Sequence, residues 1–241
     1  MLYVTGDIHG EAYDLMDRME WLNGNGTPIS DGDTVVCVGD VGLVYGSTEA
    51  ESLKRLMASL PCDFIIMRGN HDTRYQRDLR KSGNWQPRPW HGTDSIVEDG
   101  IPNIIYLPDG PCRADIGGSS CLFLPGAYSV DGDYRKALGW PYEPEEQMDS
   151  AELAEAVRLS ESGIDFVFSH TAPRKWDPFI DDLFLTGVKA DRTMERAFDL
   201  ILDEVEGSCR GWFFGHFHDD RKVGDFGRML IYDIVAVPEL S

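Results

Sequence analysis

Eight side chains able to bind a metal or move a proton lie in five short stretches: Asp7 and His9 in GDIHG, Asp40 in GDVG, Asn70 and His71 in RGNHD, His170 in SH, and His216 and His218 in GHFHD. Five of the six histidines fall in these stretches, and His91 is the exception. The set offers imidazoles, carboxylates and an amide oxygen, but no thiolate. That mix suits Mn²⁺, Fe or Zn²⁺ rather than a cysteine-rich structural zinc site. It is also too large for one ion. Two ions about 3.5–4 Å apart, bridged by one carboxylate, would use it. Singly, an Asp-X-His after a strand is an ordinary turn, GNHD an Asn-rich turn, and His-X-His a pair of rings on one face. Their joint occurrence in this order points to a metal centre.

The stretches share a setting. Apolar runs read as buried strands at LYVT (2–5), TVVCV (34–38), DFIIM (63–67), DFVFS (165–169) and GWFFG (211–215), and each ends at one of the five. In an open α/β sheet, ligands bind beyond the carboxyl ends of the strands. Glycines there permit sharp turns and close approach of the backbone. The five endings should converge on one rim. Helical spacing occurs at 11–22, at 49–60 before Pro61, at 150–160 and at 192–205. The first 70 residues thus predict β-α-β-α-β, a parallel sheet covered by helices. Residues 84–92 and 108–113 are turn-rich. NIIYL (103–107) and SCLFLPG (120–126) predict an antiparallel pair, 128–146 a long polar and aromatic loop, and 228–237 a tail that closes a sheet.

No linker, repeat or low-complexity run divides the 241 residues, so one domain is expected, large enough for a core without disulfide staples. The five cysteines form no CxxC pair and predict a buried, reduced set in a cytoplasmic protein. No apolar run reaches the roughly 20 residues of a membrane span, and no signal-peptide n-region is present. A formal charge of −20 repels polyphosphate backbones and argues against long nucleic acids as partners. The oligomeric state is left open.

GDIHG, GDVG, RGNHD, SH and GHFH, spread over residues 6–218, resemble the ordered motifs of the calcineurin-like metallophosphoesterase family, in a small bacterial-type member. The resemblance implies an α/β fold, a four-layer α-β-β-α sandwich of two mixed β-sheets flanked by helices. It assigns Asp7, His9 and His218 to a first metal ion, Asn70, His170 and His216 to a second, and Asp40 to both. The two divalent ions would be Mn²⁺ foremost, with Fe, Zn²⁺ or Ni²⁺ as alternatives. They would clamp a phosphoryl group and activate a bridging hydroxide for in-line attack, while His71 binds the phosphate or protonates the leaving oxygen.

The chain departs from the protein-phosphatase branch in two places. That branch reads GDxVDRG, with an Asp that orients the catalytic histidine and an Arg that holds phosphate; here GDVGLVYG has Leu43 at the Asp position. Another carboxylate must then orient His71, and the adjacent Asp72 either serves or braces the loop. The branch also lacks the second histidine of GHxH, present here as His218. The expectation is a hydrolase of small-molecule or nucleotide phosphomonoesters or phosphodiesters. The alternatives are a Ser/Thr-type protein phosphatase and a non-catalytic scaffold, though no ligand position is lost. GAYSVDGDYRKALGW resembles a segment of small bacterial members between the two ligand sets, and Arg135, Tyr128 and Trp140 would shape the substrate entrance from a surface loop. Arg68 is expected to be a local brace, and Trp90-His91 to pack a surface loop.

Overall fold

The computed structural model describes residues 1–43, 47–140, 142–180 and 190–240. Residues 44–46 of the GDVGLVYG stretch and Pro141 of the 128–146 stretch lie outside them. The expected alternation of strands and helices is present in β1 (Leu2–Thr5), α1 (Ala12–Gly24), β2 (Thr34–Val38), α2 (Thr48–Ser59) and β3 (Asp63–Met67). There follow α3 (Tyr75–Ser82), β4 (Trp85–Pro87), β5 (Ile96–Glu98), β6 (Ile101–Tyr106), β7 (Cys112–Ile116), β8 (Ser119–Leu124) and α4 (Gly132–Leu138). The remainder comprises α5 (Ser150–Ser160), β9 (Phe166–Ser169), α6 (Asp177–Ile180), α7 (Thr193–Val205), β10 (Gly211–Phe214), β11 (Arg221–Val223), β12 (Gly227–Met229) and β13 (Val235–Val237).

The strands form a seven-stranded sheet, ordered β13-β1-β2-β3-β6-β5-β4, and a six-stranded sheet, ordered β11-β12-β10-β9-β8-β7. Both are mixed: β1, β2, β3 and β6 run parallel, as do β8, β9, β10 and β12, and the flanking strands run antiparallel. The two-residue period of a strand divides its side chains between two cores. Val35 and Cys37 of β2 pack toward Leu15 and Met19 of α1 and Leu53 and Met57 of α2. Val36 and Val38 join Ile65, Met67, Phe123, Phe166 and Phe168 in the layer between the sheets. On the far side Val167, Trp212 and Phe214 pack against Ala156 of α5 and Phe198, Ile201 and Leu202 of α7. The order helix, sheet, sheet, helix is the expected four-layer sandwich. All five cysteines are free thiols, four of them buried. Among the described residues no helix is long and apolar enough to cross a membrane.

Three local expectations are corrected. The runs at 103–107 and 120–126 do not pair with each other: β6 lies parallel to β3 in one sheet, and β8 parallel to β9 in the other. The antiparallel neighbour of β8 is β7, joined through Gly117 and Gly118 at φ 60 and 79, the two left-handed residues of a tight hairpin turn. The tail is divided, β12 pairing in the second sheet and β13 in the first. Within 128–146, residues 132–138 are helical, ending at Gly139 in the left-handed conformation that closes a helix.

Candidate metal centre

The eight residues lie just beyond β1, β2 and β3 in the first sheet and β9 and β10 in the second. Within each sheet these strands run parallel, so their carboxyl ends share an edge, and the two edges meet. His9 Nε2 lies 3.2 Å from His218 Nε2, and the two lie 3.8 and 3.6 Å from Asp7 Oδ1. Asn70 Oδ1 is 2.8 Å from His170 Nε2 and 2.9 Å from His216 Nδ1. Asp40 Oδ2 stands between the groups, 3.9 Å from His9 Nε2 and 3.3 Å from His170 Nε2.

The backbone is strained here to aim these groups. Asp7, His9, Asp40, His216 and His218 have φ between 50 and 69, and among the described residues the one other non-glycine with positive φ is His91. Such a conformation costs about 1–2 kcal/mol per residue and persists where the surroundings over-determine it. The determinants are hydrogen bonds that prolong the sheet past its strands: Asp7 N donates to Gly39 O (3.1 Å), His9 N to Asp40 O (2.8 Å) and Gly10 N to Val41 O (2.9 Å). Two glycines permit the closest approaches. A Cβ on Gly69 would lie 2.0 Å from Asp40 Oδ1, and one on Gly215 2.1 Å from Asp7 Oδ2. Asp72, fully buried, accepts from Val41 N, Gly42 N, Gly69 N and Tyr75 Oη. It braces two ligand loops and does not orient His71.

The charges are poised for a cation. Burial pushes the Asp7 carboxyl up to about 8. Burial alone would depress the His170 imidazole, but Asp40 and Asp7 beside it raise it to about 9. The two carboxylates thus favour a positive charge on His170. His216, buried beside that charge, is held well below the ordinary imidazole range. Asp7, His9 and His218, and likewise Asp7, Asp40 and His170, place their donor atoms within 4.8 Å of one another. Oxygen and imidazole donors converging without a thiolate fit a divalent ion of the Mn²⁺, Fe or Zn²⁺ kind.

His71 sits at the mouth. Its backbone N donates to Asp40 Oδ1 (2.8 Å), and its ring meets the His9 ring edge-on at 5.3 Å. The carboxylate facing it is Asp131, with Oδ1 3.9 Å from His71 Nε2. The sequence reading missed Asp131, which is 60 positions away in a stretch without periodicity. Burial lowers the His71 pKa, and the nearby Arg135 charge adds to that.

Arg135 corrects the expectation of a surface-loop residue: it lies on α4 with 4 % exposure. Its helical position turns it inward while Tyr134 and Leu138 face out. Tyr128 is half-buried and lines a cavity of about 430 Å³ with Arg74, Tyr142 and Glu146. Trp140 is 56 % exposed and packs edge-on against Tyr134. Arg68 is the expected brace, donating from Nε to Asp109 O and from Nη1 to Glu146 O. Trp90 is buried against Phe123, and His91 is exposed.

Residues 1–220 match the family model described as calcineurin-like phosphoesterase. No curated protein matches the sequence significantly. Among solved structures, the chain is similar to a protein of unknown function from Aquifex aeolicus, at 12% identity and a TM-score of 0.45, over 98% of this chain and 94% of that one. It is also similar to a phosphopantetheinyl hydrolase from Mycobacterium tuberculosis, at 14% identity and a TM-score of 0.45, over 95% and 87% of the two chains. At these values neither structure bears on the substrate.

Proposed function

The chain belongs to the calcineurin-like phosphoesterase family, and on that premise we propose that it hydrolyses a small-molecule or nucleotide phosphomonoester or phosphodiester with two divalent ions, Mn²⁺ foremost. The observation that carries this reading is Asp40, whose Oδ2 lies within 4 Å of a histidine from each ligand group. Asp7, His9 and His218 would hold one ion, Asn70, His170 and His216 the other, and Asp40 both. When bound, such ions neutralise phosphoryl charge and lower the pKa of water, the chemistry that ester hydrolysis requires.

The protein's own groups supply the rest. His71, which has a ring nitrogen within 4.8 Å of the His9 and Asp40 donor atoms and Nε2 3.9 Å from Asp131 Oδ1, donates a proton to the departing oxygen. Arg135 sets a positive charge near His71 that favours an anionic substrate in an otherwise acidic molecule. Tyr128 and Trp140 offer rings to a flat organic group. The overall charge repels long nucleic acids but leaves a short ester access to the site. We read the chain as one domain, and its free thiols support a cytoplasmic location.

Reconstituting the metal-free protein with each ion and assaying chromogenic monoesters, diesters, nucleotides and a phosphopeptide tests this. Metal-dependent turnover of small esters is expected. A phosphopeptide preference would make it a protein phosphatase, and no turnover of any ester by fully loaded protein would make it a scaffold.

A further inference from the structure

An asparagine ligates through its oxygen alone, and its amide has nearly the same shape when rotated by half a turn. The flipped Asn70 would aim an NH₂ group at His170 and His216. Something must set the direction. Asn70 Nδ2 donates to Ser129 Oγ at 2.8 Å, with both residues buried. A hydroxyl both donates and accepts, so Ser129 alone would serve either orientation of the amide. The next residue removes the ambiguity. Glu146, 4 % exposed, accepts from Ser129 N through Oε1 at 2.8 Å. A carboxylate only accepts, so a Ser129 hydroxyl turned to donate to it would keep its lone pairs toward Asn70. Burial pushes the Glu146 carboxyl up, and the Ser129 side chain and backbone both pull it back toward the ionised form.

We infer that Ser129 and Glu146 are positioning residues for the second ion, a one-way chain of polarity from carboxylate to hydroxyl to amide that turns Asn70 Oδ1 toward the site. The inference rests on the reading of Asn70 as a metal ligand. It also gives the 128–146 segment a second role. Its two ends are fastened to the loop that bears Asn70: Ser129 bonds the asparagine, and the Glu146 carbonyl accepts from Arg68, two residues before it. Gly126 makes room, since a Cβ there would lie 2.3 Å from Glu146 O. The segment that carries the proposed substrate rim thus also orients a ligand. Partners that orient a ligand without touching the ion typically contribute 10- to 100-fold in metal affinity.

Calorimetric titration of the metal-free protein with Mn²⁺ reads this without activity. Wild type should bind two ions. Ser129→Ala should weaken one of the two steps by about 10–100-fold and leave the other unchanged. An aspartate at 70 has two equivalent oxygens and needs no orienting, so Ser129→Ala made in the Asn70→Asp background should change that step by less than about threefold. Glu146→Gln keeps the size but allows an amide to donate to Ser129, and should weaken the same step by less than Ser129→Ala does. If Ser129→Ala leaves both steps unchanged, weakens them equally, or has its full effect in the Asn70→Asp background, Ser129 does not orient Asn70. If Glu146→Gln has no effect, Glu146 does not set the direction. A wild type that takes no second ion sinks the proposed metal centre itself, an outcome separate from all of these.

Discussion

The ligand rim and the 128–146 segment touch, yet they are built on opposite terms. The rim continues buried strands: its residues inherit the register of β1, β2, β3, β9 and β10, and hydrogen bonds from one strand end to the next hold five of them at positive φ. The segment leaves the sheet just past β8 and contains a short helix, α4. Its short helix shows Tyr134 and Leu138 to solvent, Trp140 lies exposed just beyond it, and the segment is held at its base by Ser129, Glu146 and Arg68. The chemistry is tied to the core, so a change at the rim must be felt in the metals and the rate. The segment is tied to the rim at its foot, so on the proposed reading its outer residues would set which ester enters.

Substitutions should grade accordingly. His170→Ala at the buried end of the rim should remove one ion and several kcal/mol of transition-state stabilisation, about 10³-fold or more in kcat. Metal analysis beside kinetics checks it, and an unaltered metal content would break the contrast. His71→Ala, at the boundary, should keep both ions and lose about 10²–10⁴ in rate. Good leaving groups should lose less, because they need less protonation; equal losses across a leaving-group series would make His71 a phosphate binder instead.

Arg135→Ala, at the foot of the segment, should lower kcat/KM by about ten- to a hundredfold. Because the side chain is buried, it should also lower stability by about 1–3 kcal/mol, which a thermal melt of the metal-free protein would show. A stability loss with unchanged kcat/KM would make it structural only. Trp140→Ala, outermost, should shift KM by about two- to tenfold for esters with an aromatic group, from about 0.5–1.5 kcal/mol of stacking, and leave methyl esters unchanged. An equal shift for both classes would remove the ring from substrate contact.

The rim was legible in the sequence for a physical reason. A strand buried on both faces needs an unbroken apolar run, so 2–5, 34–38 and 63–67 stand out, and the polar residues that end them are conspicuous. What lay outside that rule was missed. Strands β4, β5 and β11 are three residues each, too short for a period. Helix α3 reads YQRDLRKS and buries Tyr75, Gln76 and Leu79, a stripe too polar to notice. Helix α4 buries a charged residue, Arg135, and exposes apolar ones, the reverse of the usual pattern. Asp131, Ser129 and Glu146 act on His71 and Asn70 across 59 or more positions of chain, through contacts that no local spacing encodes.

The shared carboxylate is the centre of the account, and the metal content of Asp40→Asn beside wild type tests it most directly. Elemental analysis after reconstitution should find two ions per chain in wild type. In the variant both sites should weaken together, and turnover should fall by about 10³-fold or more. A variant that keeps both ions at full occupancy and turns over normally would contradict the bridging role of Asp40.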